Sequence, residues 1–172
     1  LSTTLLTFSF CCASACMLLA RLRISSSAMV RACCTVFGRS SFAFAQVAPY
    51  FWSIRPRFTV IEPNHAEVVI PKRRGVKNHI GTVHAIALCN GLEAAMGVLA
   101  EASIPKDKRW IPKGMEVSYT AKATSDITCV AETDPEQWTS DDPDLPVRVR
   151  GVREDGEVVI EGVIRLWVTP RR

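Results

Sequence analysis

Asn78-His79-Ile80-Gly81-Thr82-Val83-His84-Ala85-Ile86-Ala87-Leu88-Cys89-Asn90-Gly91-Leu92-Glu93 stays apolar on to Ala100, and between Ile80 and Ala100 Glu93 is the only full charge. The run is rich in Ala, Leu, Ile and Met, has no Pro, and is long enough for about five turns of helix. A helix apolar all round is a buried one, so this stretch predicts a long central helix with the rest of the chain wrapped around it. Gly81 and Thr82 supply a loop and a cap, which places the helix start near Thr82 or Val83 and leaves the N–H groups around His84 and Ala85 unpaired. Donors of that kind suit an oxyanion. A carboxylate in greasy surroundings is costly to desolvate and stays ionised only with partners or with water admitted at a site, so Glu93 is the residue to explain.

The 172 residues and their 48% hydrophobic share are enough for one domain with a real core, plus an extension. The net charge of +4 is unevenly placed: residues 1–61 hold six Arg and no acid, while the remainder holds fifteen basic and seventeen acidic residues. The domain proper is therefore slightly acidic and lacks interleaved exposed aromatics, a poor fit to nucleic-acid binding. Five of the seven cysteines (Cys11, Cys12, Cys16, Cys33, Cys34) fall in the first 34 residues, leaving Cys89 and Cys129 in the globular part. An odd count without a repeated spacing argues against a disulfide framework. No Cys-x-x-Cys pair accompanies a His, so no metal site is expected and a reducing compartment is.

Residues 1–20 carry no charge and are followed by Arg21 and Arg23. They are just long enough to span a bilayer, so membrane contact is expected only if they are retained. The scattered Arg and Ser and the lack of acids fit an organellar, mitochondrial-like transit peptide as an alternative to a cytoplasmic location, and a disordered leader with Met29 as the true start is a third reading. The expected division is an extension over 1–35 and a domain over 36–172.

Within that domain Phe37, Phe42, Phe44, Val47 and Phe51 have helical spacing up to Pro56. Arg57–Ile61 and Ala66–Ile70 then read as a hairpin with a turn at Glu62-Pro63-Asn64-His65, which makes His65 an exposed loop residue. After the helix, Trp110–Thr120 alternates, with Met115, Val117 and Tyr119 on one side, as a half-buried strand does. Asp126–Glu132 reads as another strand. Thr133–Pro146, with five acids, three prolines and no base, reads as a solvated loop. Val147–Arg153 and Glu157–Val168 pair around Asp155-Gly156, and Gly162 suggests a bulge. The expected fold is α+β, an antiparallel sheet of five to six strands around one long buried helix.

Asn78, His84 six residues later and Glu93 nine residues after that resemble the signature of hotdog-fold thioesterases of the phenylacetic-acid-pathway type, whose His is followed by Gly-Gly. Here Ala85-Ile86 stand in those places. From about Ala48 to Pro170, with Asn78-His79-Ile80-Gly81-Thr82 and Arg109-Trp110-Ile111-Pro112-Lys113, the chain is similar to a little-characterised thioesterase-like branch of that superfamily. The resemblance implies a hotdog domain acting as an acyl-thioester hydrolase. In it Glu93 is general base or nucleophile, the Ala85 N–H binds the carbonyl oxygen, Asn78 orients the attacking water or the acid, and His84 shapes the helix start. Some relatives place a Ser or Thr where this chain has Pro112, so that helper is missing. Side chains now fill the space the two glycines would leave, but the backbone N–H survives.

Ala85 and Glu93 are eight residues apart, about 12 Å along a helix axis, which is too far for both to touch one thioester carbon. They serve one substrate only if they come from different subunits with antiparallel helices, so catalysis of this type predicts a homodimer, or a dimer of dimers, with sites across a two-fold interface. A hydroxyacyl-thioester dehydratase using His79 and Glu93 is the alternative chemistry, since these stand fourteen residues apart as in that branch of the superfamily. A non-catalytic acyl-thioester or lipid-binding module, with Glu93 structurally bonded to Asn90 or Asn78, is the alternative of another class. The basic groups Lys72, Arg73, Arg74 and Lys77 before the helix and Lys106, Lys108, Arg109 and Lys113 after it suit coenzyme A phosphates. His79, Gly81 and Thr82 complete the expected substrate contacts. No cofactor is expected beyond coenzyme A as part of the substrate.

Overall fold

The computed structural model describes residues 49–171. After a 3-10 turn over Pro49–Ser53 come β1 (Arg57–Glu62), β2 (His65–Ile70), α1 (Ala85–Ser103), β3 (Lys108–Tyr119), β4 (Ile127–Glu132), β5 (Asp144–Arg153) and β6 (Val158–Pro170). The strands form one sheet in the order β1-β2-β4-β5-β6-β3, with every pairing antiparallel. The two tight hairpins follow from local chemistry. Asn64 takes the left-handed region (φ 69°) between β1 and β2, which Asn tolerates, and Gly156 takes it (φ 88°) between β5 and β6.

The helix sits where small, branched side chains alternate in register. Ala66, Val68 and Ile70 of β2 lie directly opposite Ala131, Cys129 and Ile127 of β4, and all six are fully buried. Leu88, Leu92, Ala95 and Leu99, at positions i, i+4, i+7 and i+11 of α1, form the stripe laid on that floor. Burying each leucine stabilises the fold by about 2 kcal/mol. Helix and sheet pack tightly at Gly91, where an added Cβ would lie 2.2 Å from Ile70 Cδ1 and 2.7 Å from Cys129 Sγ. A larger residue there forces the Ile70 and Cys129 side chains out of their packing.

Several expectations are corrected. The helix begins at Ala85, not at Thr82 or Val83, because Thr82 is held in the preceding turn and His84 is the N-cap. Nor is α1 buried all round: Ile86, Cys89, Glu93, Gly97 and Glu101 form a partly open strip along one side. His65 is the first residue of β2 and half-buried, its ring between Glu67 (3.2 Å) and Glu132 (3.4 Å). Thr133–Pro146 is not simply solvated: Pro135–Trp138 forms a 3-10 turn that buries Trp138, whose Nε1 donates to Thr133 Oγ1 at 3.1 Å. Gly162 pairs regularly with Val149 and Val117, and the register breaks lie instead at Phe58/Val60, Pro112/Gly114 and Gly151/Val152. Glycine is needed at 162 because a Cβ there would fall 2.0 Å from the Glu116 carbonyl oxygen. The extension over 1–35 and most of the expected helix over 36–54 lie outside the described residues; its last part, Pro49–Ser53, is a 3-10 turn.

Candidate active site

The loop entering α1 is built by one side chain. Asn78 Oδ1 accepts from the backbone N–H groups of Ile80 and Thr82, each at 3.1 Å, and its Nδ2 donates to Thr82 Oγ1 at 2.8 Å. Its backbone N–H donates to the Thr82 carbonyl at 2.9 Å, and Gly81 sits at φ 81°, a conformation glycine adopts without strain. Asn78 therefore closes a tight turn, and only its second amide N–H is left for a water or a carboxylate. His79, Ile80 and Gly81 are exposed on this turn.

Two further bonds pin the helix entrance. The Val83 N–H donates to the Ala123 carbonyl (2.9 Å) and the His84 N–H to the Val76 carbonyl (2.8 Å), so His84 does not offer the free donor expected of it. Its ring does other work, since Nδ1 accepts from the Ile86 N–H at 3.1 Å. That side-chain cap satisfies one orphan donor of the first turn, and Leu88 bonds back to the His84 carbonyl. The N–H groups of Ala85 and Ala87 have no acceptor among the described residues.

Glu93 lies two turns further on, half-buried on the open strip, and its carboxylate makes no hydrogen bond or ion pair with a described residue. Asn90 is not its partner. The Asn90 amide nitrogen donates instead to Ser53 Oγ at 3.2 Å, tying α1 to the 3-10 turn. Strand β3 runs antiparallel beside the strip. At one end Cys89 Sγ lies 3.2 Å from Tyr119 Oη, and at the other Trp110 Nε1 donates to Glu101 Oε1 at 3.0 Å. Glu93 faces the gap between these two contacts.

The basic residues do not converge within one protomer. Arg73 is drawn inward, its guanidinium donating to the Ser53 carbonyl, and burial followed by the neighbouring Arg55 charge lowers its pKa from the usual value. Arg74 and Lys77 are exposed near the helix start. Arg109 instead donates to Thr169 Oγ1 (3.3 Å), and Lys113 lies 4.5 Å over the Trp167 ring. Both are on the part of β3 that flanks the C-terminal half of α1. Pro112 is exposed at the β3 register break and carries no hydroxyl for a water. Sequence reasoning missed the clasp of Ser53 on Asn90; the one signal for it was an uncharged amide in an otherwise apolar helix.

A single helix lying on a six-stranded antiparallel sheet, with a side-chain-capped helix start and a lone acid two turns along, defines the hotdog fold of the thioesterase superfamily. Residues 38–168 match the family model described as a domain of unknown function, DUF4442, and the chain belongs to that family. A structural-genomics crystal structure is 47% identical, with a TM-score of 0.71 over 76% of this chain and 88% of that one. A Pseudomonas aeruginosa protein of unknown function described as a probable thioesterase is 25% identical (TM-score 0.63, 75% and 88% covered). A thioesterase family protein from Silicibacter pomeroyi shares the fold at 16% identity (TM-score 0.62, 78% and 99% covered). None of the curated proteins matches the chain.

Proposed function

We propose that the protein hydrolyses an acyl thioester, of coenzyme A or of an acyl carrier protein, at a site shared by two copies of the chain. What carries this reading is the Glu93 carboxylate, unpaired among the described residues on the open strip of α1, on a helix whose Ala85 N–H is likewise free. Within one protomer these groups are about 12 Å apart along the axis, so a two-fold partner with its helix antiparallel brings Glu93 of one copy to the Ala85 N–H of the other.

In such a site Glu93 takes a proton from water as it attacks the thioester carbon, and the carbonyl oxygen, now anionic, is held at the helix start. Collapse of the tetrahedral intermediate breaks the carbon–sulfur bond and releases carboxylic acid and thiol. The same antiparallel pairing carries Arg109 and Lys113 of one copy toward Arg74 and Lys77 of the other, a basic rim suited to coenzyme A phosphates.

The test is thiol release across acyl-coenzyme A chain lengths, run beside Glu93→Gln, which keeps shape and volume. Wild type turns over and the variant loses about 10²-fold or more, while both melt within a few degrees of each other. Equal rates for the two proteins remove the acid from the mechanism. A flat panel for wild type points to a binding module.

A further inference from the structure

The face of the sheet turned away from α1 carries an apolar pair in water at its β3–β6 end. Ile111 stands directly opposite Trp167 in register, and they are 59% and 36% exposed, while Leu166 and Val168 on either side of Trp167 are buried in the core. Cations flank the pair on the same face. Arg109, opposite Thr169, donates to its Oγ1 at 3.3 Å, and the Lys113 ammonium lies 4.5 Å over the Trp167 ring. Neither has an acid partner among the described residues, whereas Arg165, two residues before Trp167, is paired with Asp144 at 3.0 Å. Two positive charges therefore stand uncompensated around two large apolar side chains.

Coenzyme A phosphates make use of the charges but give Ile111 no reason to be exposed beside Trp167. An aromatic and an aliphatic anchor with a charged rim is how one protein holds another. Charge then selects the partner. A second copy laid on this patch would set like charges against each other. A flat anionic lipid surface would press against the exposed carboxylates of Glu116 and Glu161, further along the same face, and of Asp141 and Asp142 just before β5. An acidic helix, about 10–12 Å across, covers the pair and its two cations without reaching those acids.

We propose that this patch docks an acidic helix of an acyl carrier protein, so that the thioester is delivered on the carrier's pantetheine arm and not as free coenzyme A. This rests on the thioesterase reading and adds its partner. Arg109 and Lys113 belong both to the patch and to the rim of the shared site, which puts the arm of a docked carrier beside that rim. A carrier must leave after each turnover, and a patch of this size suits a transient interface burying under about 1,200 Å² in total.

The experiment measures kcat/KM for octanoyl-acyl carrier protein and for octanoyl-coenzyme A in the full chain and in its Ile111→Asp and Trp167→Ala variants. Wild type favours the carrier-bound thioester by roughly tenfold or more, and raising salt to about 0.5 M shrinks that preference. Each substitution lowers kcat/KM for the carrier substrate roughly tenfold, through KM, and leaves the coenzyme A value within about twofold. Equal loss on both substrates means that the residues only hold β3 in place and overturns the proposal, as does a carrier rate that neither variant changes. A wild-type preference for octanoyl-coenzyme A overturns it too, while leaving the thioesterase reading standing. If neither thioester is hydrolysed, calorimetry with the octanoyl carrier decides: binding that Ile111→Asp abolishes supports the docking surface, and absence of binding sinks it. Sedimentation with phosphatidylglycerol vesicles that depends on Trp167, or a larger assembly by light scattering that Ile111→Asp splits, assigns the patch to a membrane or to a second copy, and either result overturns the proposal.

Discussion

The sulfur of Cys89 lies 3.2 Å from the phenol oxygen of Tyr119, joining the last residue of β3 to α1 one turn before Glu93. The hydrogen bond with Cys89 first, and burial second, push the Tyr119 pKa up to about 12. The chain has only two tyrosines, Tyr50 and Tyr119, so a spectrophotometric pH-jump titration can follow this one. Cys89→Ala brings one phenol back toward the ordinary value of about 10. Superimposable curves for the two proteins mean that the contact does not hold in solution.

Ile86, at the start of the Glu93 strip, and Tyr119, on β3 beside it, are exposed large side chains, 56% and 52% respectively. If the catalytic site is shared between copies, Ile86→Glu with Tyr119→Glu places like charges at the two-fold contact and gives a monomer by light scattering. Turnover should fall with dimer content, and far-UV circular dichroism should stay unchanged. A fully active monomer would contradict a shared site.

Gly162 offers a test of how β3 is held. Its absent side chain lets the Glu116 carbonyl approach to where a Cβ would meet it at 2.0 Å, and backbone cannot give way as a side-chain tip can. Gly162→Ala is expected to cost about 3 kcal/mol, lowering Tm by roughly 10–15 °C. A shift of only a degree or two would show that β3 slides in register without penalty.

Stability also depends on pH through Glu132. Its pKa is lowered, first by the hydrogen bond from Arg150 (2.6 Å) and further by the charges of Arg150, His65 and Arg148, with burial opposing. A carboxyl lowered in the folded state contributes stability that is present above its unfolded value, about 4.3, and is lost as pH falls through the folded value. Glu132→Gln should therefore melt below wild type at pH 7, and the gap should close as pH drops below about 4. A gap of constant size from pH 7 to 3 would rule out the linkage.

The element order and the central helix were legible because their signals are local: a long charge-poor stretch for α1, a hairpin turn before β2, alternation in β3, Asp-Gly at the last turn. Asn78 and His84 stood out by spacing, but the bonds they make did not, since both depend on how the 78–84 turn folds back on Thr82 and the first helical turn. The clasp of Ser53 on Asn90 spans 37 residues and was invisible for that reason. Reading α1 as buried on every side erred because half of its apolar residues are small. Alanine and glycine mark close approach to the sheet on one face and open space on another, and composition cannot tell these apart. Gly162 was misread for a related reason, because a bulge and a tight strand crossing both call for glycine.

The outermost place of β3 in the sheet bears on how the chain reaches its native state during synthesis. β3 leaves the ribosome before β4, β5 and β6, yet its neighbour is β6, with Lys108 opposite Pro170 and Tyr119 opposite Ile160. Until β4 arrives the helix exposes part of its leucine stripe, and until the last strand arrives β3 lacks its partner. Such non-local closure makes folding slow, and it makes nascent or truncated chains prone to aggregation, so this protein should depend on chaperones while it is being made more than its modest size suggests.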